Sequence, residues 1–290
     1  MNKKTTVTVI VSLAVFVIIS ISVLCVTLFK KPSEDDYDEH GEETLIIPET
    51  LVYDDVISEP IYDNMPEGIY YRTVTKKTVL NTDNGSRMVY FYPEFEGFDG
   101  LNKDTELNSL IKEHMTLMQR MHGGGLYKMI EHGAKATYDI TSFEITYIDD
   151  SFISIVFFGS FYAIGDTIYI DTGSRNFAYS LNIDIEAMKT LDSSDLISDF
   201  LALRSSFLNG ELKMTVGADD LLKNTTYSEI FGQYRSEYEI YPDIYFTFER
   251  VNVIISLTSD LGGAAVFSDT KEGSRDYINT FLSPLTTYYS

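Results

Sequence analysis

The chain has 290 residues, 44 acidic against 22 basic side chains, a formal net charge of −22, 21 tyrosines, no tryptophan and one cysteine, Cys25. A surface this acidic repels nucleic acid and anionic headgroups, and it attracts cations and basic proteins. A single cysteine excludes an internal disulfide and the paired-thiol zinc and redox motifs.

Residues 6–29 carry no charge and are bracketed by Lys3, Lys4, Lys30 and Lys31. At ~1.5 Å per residue a helix over this stretch spans roughly 36 Å, enough for a hydrocarbon core of about 30 Å. The apolar run exceeds the roughly 7–15 residues of a cleavable signal peptide, and no small-residue cleavage site follows it. Lipidation of Cys25 is disfavoured by the bulky Val23 and Leu24 before it. The reading is an uncleaved transmembrane helix over 6–29, with residues 1–5 as a short cytoplasmic tail. The rest lies outside the cell, and the localisation is a single-pass cell-membrane protein with an extracellular C-terminal domain. All 44 acidic residues follow Lys31. Pro32 to Glu67 holds 13 of them, four prolines and no Lys or Arg. Such a stretch repels itself and buries little, so 30–67 reads as an extended acidic extracellular linker.

From residue 68 to 290 the pattern is that of a folded domain, either single or divided at about 135/136. Tyr70 to Val79 alternates as a strand, and Met88 to Phe95 is a second strand, interrupted at Pro93. Leu107, Leu110, Ile111, Met115 and Met118 recur at helical spacing within 101–130, with Asp104 and Thr105 suited to the N-terminus. Gly123-Gly124-Gly125 is expected to break that helix. Strands follow over 136–147, 152–162 and 167–185, with turns at Asp149-Asp150 and Gly165-Asp166. Helices are expected over 193–207 and 218–234, a final pair of strands over 240–250 and 251–258, and a short helix over 276–282. Strands and helices come in blocks, which predicts an α+β fold with mainly antiparallel sheet and packed helices.

Two short motifs carry a family resemblance. Tyr92-Pro93-Glu94-Phe95-Glu96-Gly97 ends the second strand, and Leu107-Asn108-Ser109-Leu110-Ile111 opens the helix. With the hairpin in Thr146 to Phe158, the Asn176 to Asp184 strand, the Thr190 to Leu196 step, and Tyr245 to Leu257 followed by Gly262-Gly263-Ala264, the chain resembles the extracytoplasmic domain of RsiV-type membrane anti-sigma factors. The same domain type forms the N-terminal region of PdaC-type peptidoglycan deacetylases. The resemblance covers about 69–270. It implies an α+β domain on the outer face of a Gram-positive membrane, binding a ligand such as lysozyme. The chain departs from the family in two places. Residues 1–5 are too short to hold a sigma factor, and Ala163-Ile164-Gly165-Asp166-Thr167 stands where the family has a Gly-Gly-Ala-His segment. No deacetylase domain is expected within the 290 residues.

Candidate chemistry is sparse. His114 and His122 are eight residues apart and share a helix face, but a zinc site needs three or four converging ligands, so no metal is expected. The glycine triplet lacks the Lys-Ser/Thr of a phosphate loop, and no cofactor motif is present. There is no G-x-S-x-G, no H-E-x-x-H and no cysteine nucleophile outside the apolar span, which points away from catalysis. Asp149, Asp150, Asp166 and Asp171 fall near hairpin ends, where aspartates commonly form turns and where paired carboxylates also bind calcium or cleave glycosides. Tyr70, Tyr71, Tyr90, Tyr92, Tyr162 and Tyr169 fall on strands, as packing or as contact residues. Tyr162, Asp166, Tyr169 and Asp171 are the candidate partner-binding residues. The expected function is a non-catalytic binding or sensor domain for a basic protein such as lysozyme or for a cell-wall component, with no nucleic acid. The alternative is a cell-envelope enzyme, or its accessory subunit, acting on peptidoglycan.

Overall fold

The computed structural model describes residues 52–57, 71–97, 103–131, 133–165, 173–218, 220–235, 242–257, 261–280 and 282–286. The apolar stretch 6–29 lies outside them. Among the described residues no helix is long and apolar enough to cross a membrane. The fold is mixed α+β with mainly antiparallel sheet.

A seven-stranded sheet runs in chain order: β1 (Val52–Ile57), β2 (Arg72–Asn81), β3 (Arg87–Glu96), β4 (Lys135–Ile148), β5 (Phe152–Ile164), β6 (Gly173–Asp184) and β7 (Lys189–Leu191). Every pair is antiparallel except β3–β4, which is parallel over three residues and joined through helix α1 (Asp104–Glu131). That geometry needs a crossover long enough to return to the same end of the sheet, and α1 supplies it. Leu107, Ile111 and Met115 form its buried stripe. They share a core with Ile153, Ile155 and Phe157 on one face of β5. The opposite face of β5, through Ser154 and Val156, meets a second sheet, so residues 152–157 are buried throughout. An apolar run buried on both sides is the expected signature of such a central strand.

The second sheet has the order β8 (Lys213–Val216), β11 (Ala264–Thr270), β10 (Arg250–Ser256), β9 (Asp243–Phe246), all antiparallel. Helices α2 (Ser193–Leu196), α3 (Phe200–Leu208), α4 (Leu221–Asn224) and α5 (Tyr227–Arg235) supply the residues that share a core with this sheet, among them Leu203, Phe207, Leu221 and Ile230. The outer edge of β9 would leave backbone groups unpaired. Side chains of the large sheet meet them instead. The Phe246 N–H donates to Ser154 Oγ (3.0 Å), and the Ile244 carbonyl accepts from Asn182 Nδ2 (2.6 Å) and Ser180 Oγ (2.8 Å). Ser154 Oγ donates to Asn182 Oδ1 (2.7 Å), closing the network. Gly262-Gly263 forms the turn before β11 and packs against β6, where a Cβ on Gly263 would lie 2.1 Å from the Asn176 carbonyl oxygen.

Pro93 does not interrupt β3, and the contacts of Phe95 explain why. Asn108 on α1 accepts the Phe95 N–H (2.7 Å) and donates to the Phe95 carbonyl (2.8 Å). Phe95 therefore turns its backbone groups away from β2, and so does Pro93 two residues earlier. Pairing with β4 ends at Val89, so the missing Pro93 N–H falls on an open edge. Gly97, at φ +71°, then donates its N–H to Asp104 Oδ2 (2.7 Å) as the chain turns into α1.

Several elements differ from the sequence expectation. Helix α1 runs through Gly123-Gly124-Gly125 without a break. β1 comes from the acidic stretch and pairs antiparallel with β2, in a register that sets Asp54 opposite Lys77 and Asp55 opposite Lys76. The helix expected over 193–207 is two. Ile197 leaves it to bridge Ile278, and Asp199 restarts it by accepting from the Leu201 and Ala202 N–H groups. The helix expected over 218–234 is also two, restarted by a capping box in which the Thr226 N–H donates to Glu229 Oε2 and the Glu229 N–H to Thr226 Oγ1. β8 and β11 join the expected final pair of strands. In place of a helix over 276–282 the chain makes a 3₁₀ turn, Gly273–Asp276, and a short helix α6, Ser283–Thr286. Tyr277 is buried between them, its hydroxyl donating to Asp269 Oδ2 (2.8 Å).

Candidate functional site

β7 is only three residues long and covers β6 from Asn182 to Asp184. Among the described residues no strand pairs with that edge of β6 before Asn182, and a cleft of about 860 Å³ opens there. α1 forms one wall with residues between Ser109 and Met118. Tyr179 to Asn182 of β6 forms another, Thr190 to Ser193 closes one end, and Asp243 at the start of β9 lines it as well. The volume falls within the roughly 300–1,000 Å³ of ligand sites.

Three titratable groups with displaced pKa values line this cleft. Asp243 accepts the Ser180 N–H at 3.4 Å, a long bond. Burial pushes its carboxyl up to about 6; the Ser180 N–H opposes the shift, and the charge of Asp192 adds to it. Among the described residues, the groups that act on it are Ser180 and Asp192, neither a cation. His114 stacks near Phe157, with ring centroids 6.5 Å apart, and tilts against Tyr179 at 6.2 Å. Burial holds its imidazole down at about 4 despite the opposing pull of Asp192, so it is neutral at pH 7. Its Nε2 is buried and has no hydrogen-bond partner. Burial also drives the Tyr179 phenol far above its ordinary value, so it too is uncharged. Asp192 is exposed at the rim, as are Glu113 and Lys112 on α1. The result is a mixed cleft: leucine and methionine walls, several hydroxyls, two carboxylates at the rim and a third whose pKa burial raises. Perturbed titratable groups gathered in a concavity are a mark of functional sites.

The residues expected from sequence fall elsewhere. Tyr162 lies on β5 beyond the core and is 46% exposed. Asp166, Tyr169 and Asp171 lie outside the described residues. Tyr71, Tyr90 and Tyr92 are core residues, not contact residues. Asp149 builds the β4–β5 turn, accepting from the Ser151 N–H (2.9 Å), the Phe152 N–H (2.7 Å) and the Tyr147 hydroxyl (2.6 Å). Of the candidate histidines, His114 reaches the cleft. Among the described residues no three His, Cys, Asp or Glu groups converge as metal ligands. Asp243 carries one local signal, a carboxylate opening the apolar strand Asp243-Ile244-Tyr245-Phe246.

Compared with protein-family models and with curated proteins, the chain gives no match. Among solved structures it is similar to a DUF3298 family protein from Pseudomonas aeruginosa PAO1, with a TM-score of 0.43, 9% identity, and 75% of this chain and 96% of that one covered. It is also similar to a DUF3298 family member from Bacteroides fragilis NCTC 9343, with a TM-score of 0.40, 12% identity and coverage of 76% and 98%.

Proposed function

We propose that the chain is a single-pass membrane protein whose outer α+β domain binds a basic protein ligand such as lysozyme, or a cell-wall component, without catalysis. This is the role of the RsiV-type domains it resembles. The observation that carries the reading is the one-sided charge, with every one of the 44 acidic residues beyond the apolar segment. Such a field steers basic partners and weakens as salt rises. Calorimetric titration of the full chain in detergent micelles with lysozyme tests it. Saturable binding that persists at physiological salt supports the reading. Binding confined to low salt is charge attraction alone and contradicts it.

A second reading is favoured by the cleft. His114, Asp192 and Asp243 line one concavity, one carboxyl raised and another exposed, and that pairing suits acid–base work on a glycan. Incubation of the full chain with peptidoglycan tests it. Release of soluble fragments by the wild type, absent with Asp243→Asn, would establish an envelope enzyme.

A further inference from the structure

We propose that the cleft between α1, β6 and Asp243 is a receptor site for a primary ammonium group on an aliphatic arm, the chemistry of a lysine side chain, presented by the basic partner. The inference rests on the binding reading above and names the place and the group through which the partner is held.

The walls suit the arm. Leu110, Leu117 and Met118 of α1 line the cleft together with Leu181 and Leu191. Leu117 is 53% exposed there, a large apolar side chain without cover in the fold. A lysine stem of four methylenes packs on such walls while its head seeks a counter-charge. The far end suits the head. An ionised carboxylate offers roughly four acceptor positions. Among the described residues Asp243 accepts one hydrogen bond, the long one from the Ser180 N–H. A half-buried carboxylate whose pKa burial already raises is costly to ionise. An entering ammonium supplies the missing charge and its hydrogen bonds.

The neighbours leave that charge unopposed. On α1, His114 is neutral, and Lys112 and Glu113 are both exposed at the rim with opposite signs. On β6, Tyr179 is held uncharged. Asp192, at the end of β7, adds a second negative group. Once Asp243 ionises, the cleft is net negative, and a cation entering it drives that ionisation. Binding therefore releases a proton wherever Asp243 begins protonated.

Calorimetry of the full chain in micelles with tetralysine and with its fully acetylated form, at physiological salt, tests the proposal. Tetralysine is expected to bind and the acetylated peptide not to. Asp243→Asn is expected to weaken binding at least about tenfold, the scale of one hydrogen-bonded charge pair of about 1.4 kcal/mol. Asn can accept the same Ser180 N–H, so the fold is kept. Asp192→Asn gives a smaller, several-fold loss at an exposed position. Glu249→Gln, an exposed carboxylate away from the cleft, stays within about twofold. Comparison of two buffers of different ionisation enthalpy is expected to show about half a proton released per site at pH 6 and close to none at pH 8. Equal binding by D243N and E249Q, binding of the acetylated peptide, or no proton release at pH 6 would overturn the site. If lysozyme still binds D243N as it does the wild type, this site falls and the binding reading stands. If neither lysozyme nor tetralysine binds, both fall.

Discussion

Asn108→Ala should unfasten the edge of β3. In the native fold one side chain satisfies both backbone groups of Phe95, at 2.7 and 2.8 Å, in a part-buried setting. Truncation leaves an N–H and a carbonyl to find water. Each net hydrogen bond is worth about 0.5–1.5 kcal/mol, and more where the orphaned group stays dry. The pair therefore amounts to about 2 kcal/mol, rising to roughly 3–4 kcal/mol if α1 keeps water out. With a urea dependence of about 3 kcal/mol per molar, the unfolding midpoint falls by about 0.7 M or more at unchanged slope. Asn108→Asp separates the two bonds. The introduced carboxylate still accepts the Phe95 N–H, but it sets a second oxygen against the carbonyl. Protonation restores a donor, so the folded-state pKa of that group is raised. Its penalty is fully developed above the folded-state value and recedes as pH falls toward the unfolded value near 4. Equilibrium urea unfolding at pH 7 and pH 4 measures both variants. Asn108→Ala within about 0.5 kcal/mol of wild type would refute the reasoning, because the edge would then need no clasp.

Three further outcomes follow from the cleft and the sheet interface. Asp243 binds a proton in the folded state between about pH 4 and 6 that the unfolded chain does not, so its contribution to stability falls as pH rises through that window. Asp243→Asn should thus gain on wild type by on the order of 2–3 kcal/mol from pH 4 to pH 6, then hold level; a constant difference in urea unfolding contradicts this. His114 has a lowered folded-state value, so its neutral form contributes stability above pH 6.5 that is lost as pH falls toward about 4; an NMR titration midpoint near 6.5 in place of 4 would show the imidazole to be solvated. Asn182→Ala breaks bonds to Ile244 and Ser154 at a fully buried site and should cost about 2–4 kcal/mol, with a loss under 0.5 kcal/mol removing the network from the account of how the sheets join.

Local physics made much of the fold legible. The β4–β5 hairpin was readable because Asp149 forms its turn from within four residues. The first half of α1 was readable because Leu107, Ile111 and Met115 keep strict four-residue spacing against the sheet. The capping box at Thr226 and Glu229 was equally local and could have split that helix in advance. Elements decided by distant partners were not readable. Ile197 leaves its helix to bridge the distant Ile278, and β1 forms in an acidic stretch by pairing along β2. Nothing in the structure explains how Gly123-Gly124-Gly125 hold helical geometry. The cleft was hidden for the same reason as these elements. Its residues come from four segments, and each alone is ordinary: a helix histidine, a tyrosine in a strand, an aspartate after a leucine, an aspartate opening a strand. Only the shortness of β7 brings them around one concavity.

Hydrogen–deuterium exchange of the full chain with and without lysozyme, at physiological salt, locates the partner on the fold. Binding through the cleft predicts slowed exchange in residues 109–118 of α1, 179–182 of β6 and 190–193. Protection confined to the end of the β5–β6 hairpin, around Tyr162 and residues 165–174, would contradict it and place the partner on the tyrosines and aspartates that sequence alone had singled out.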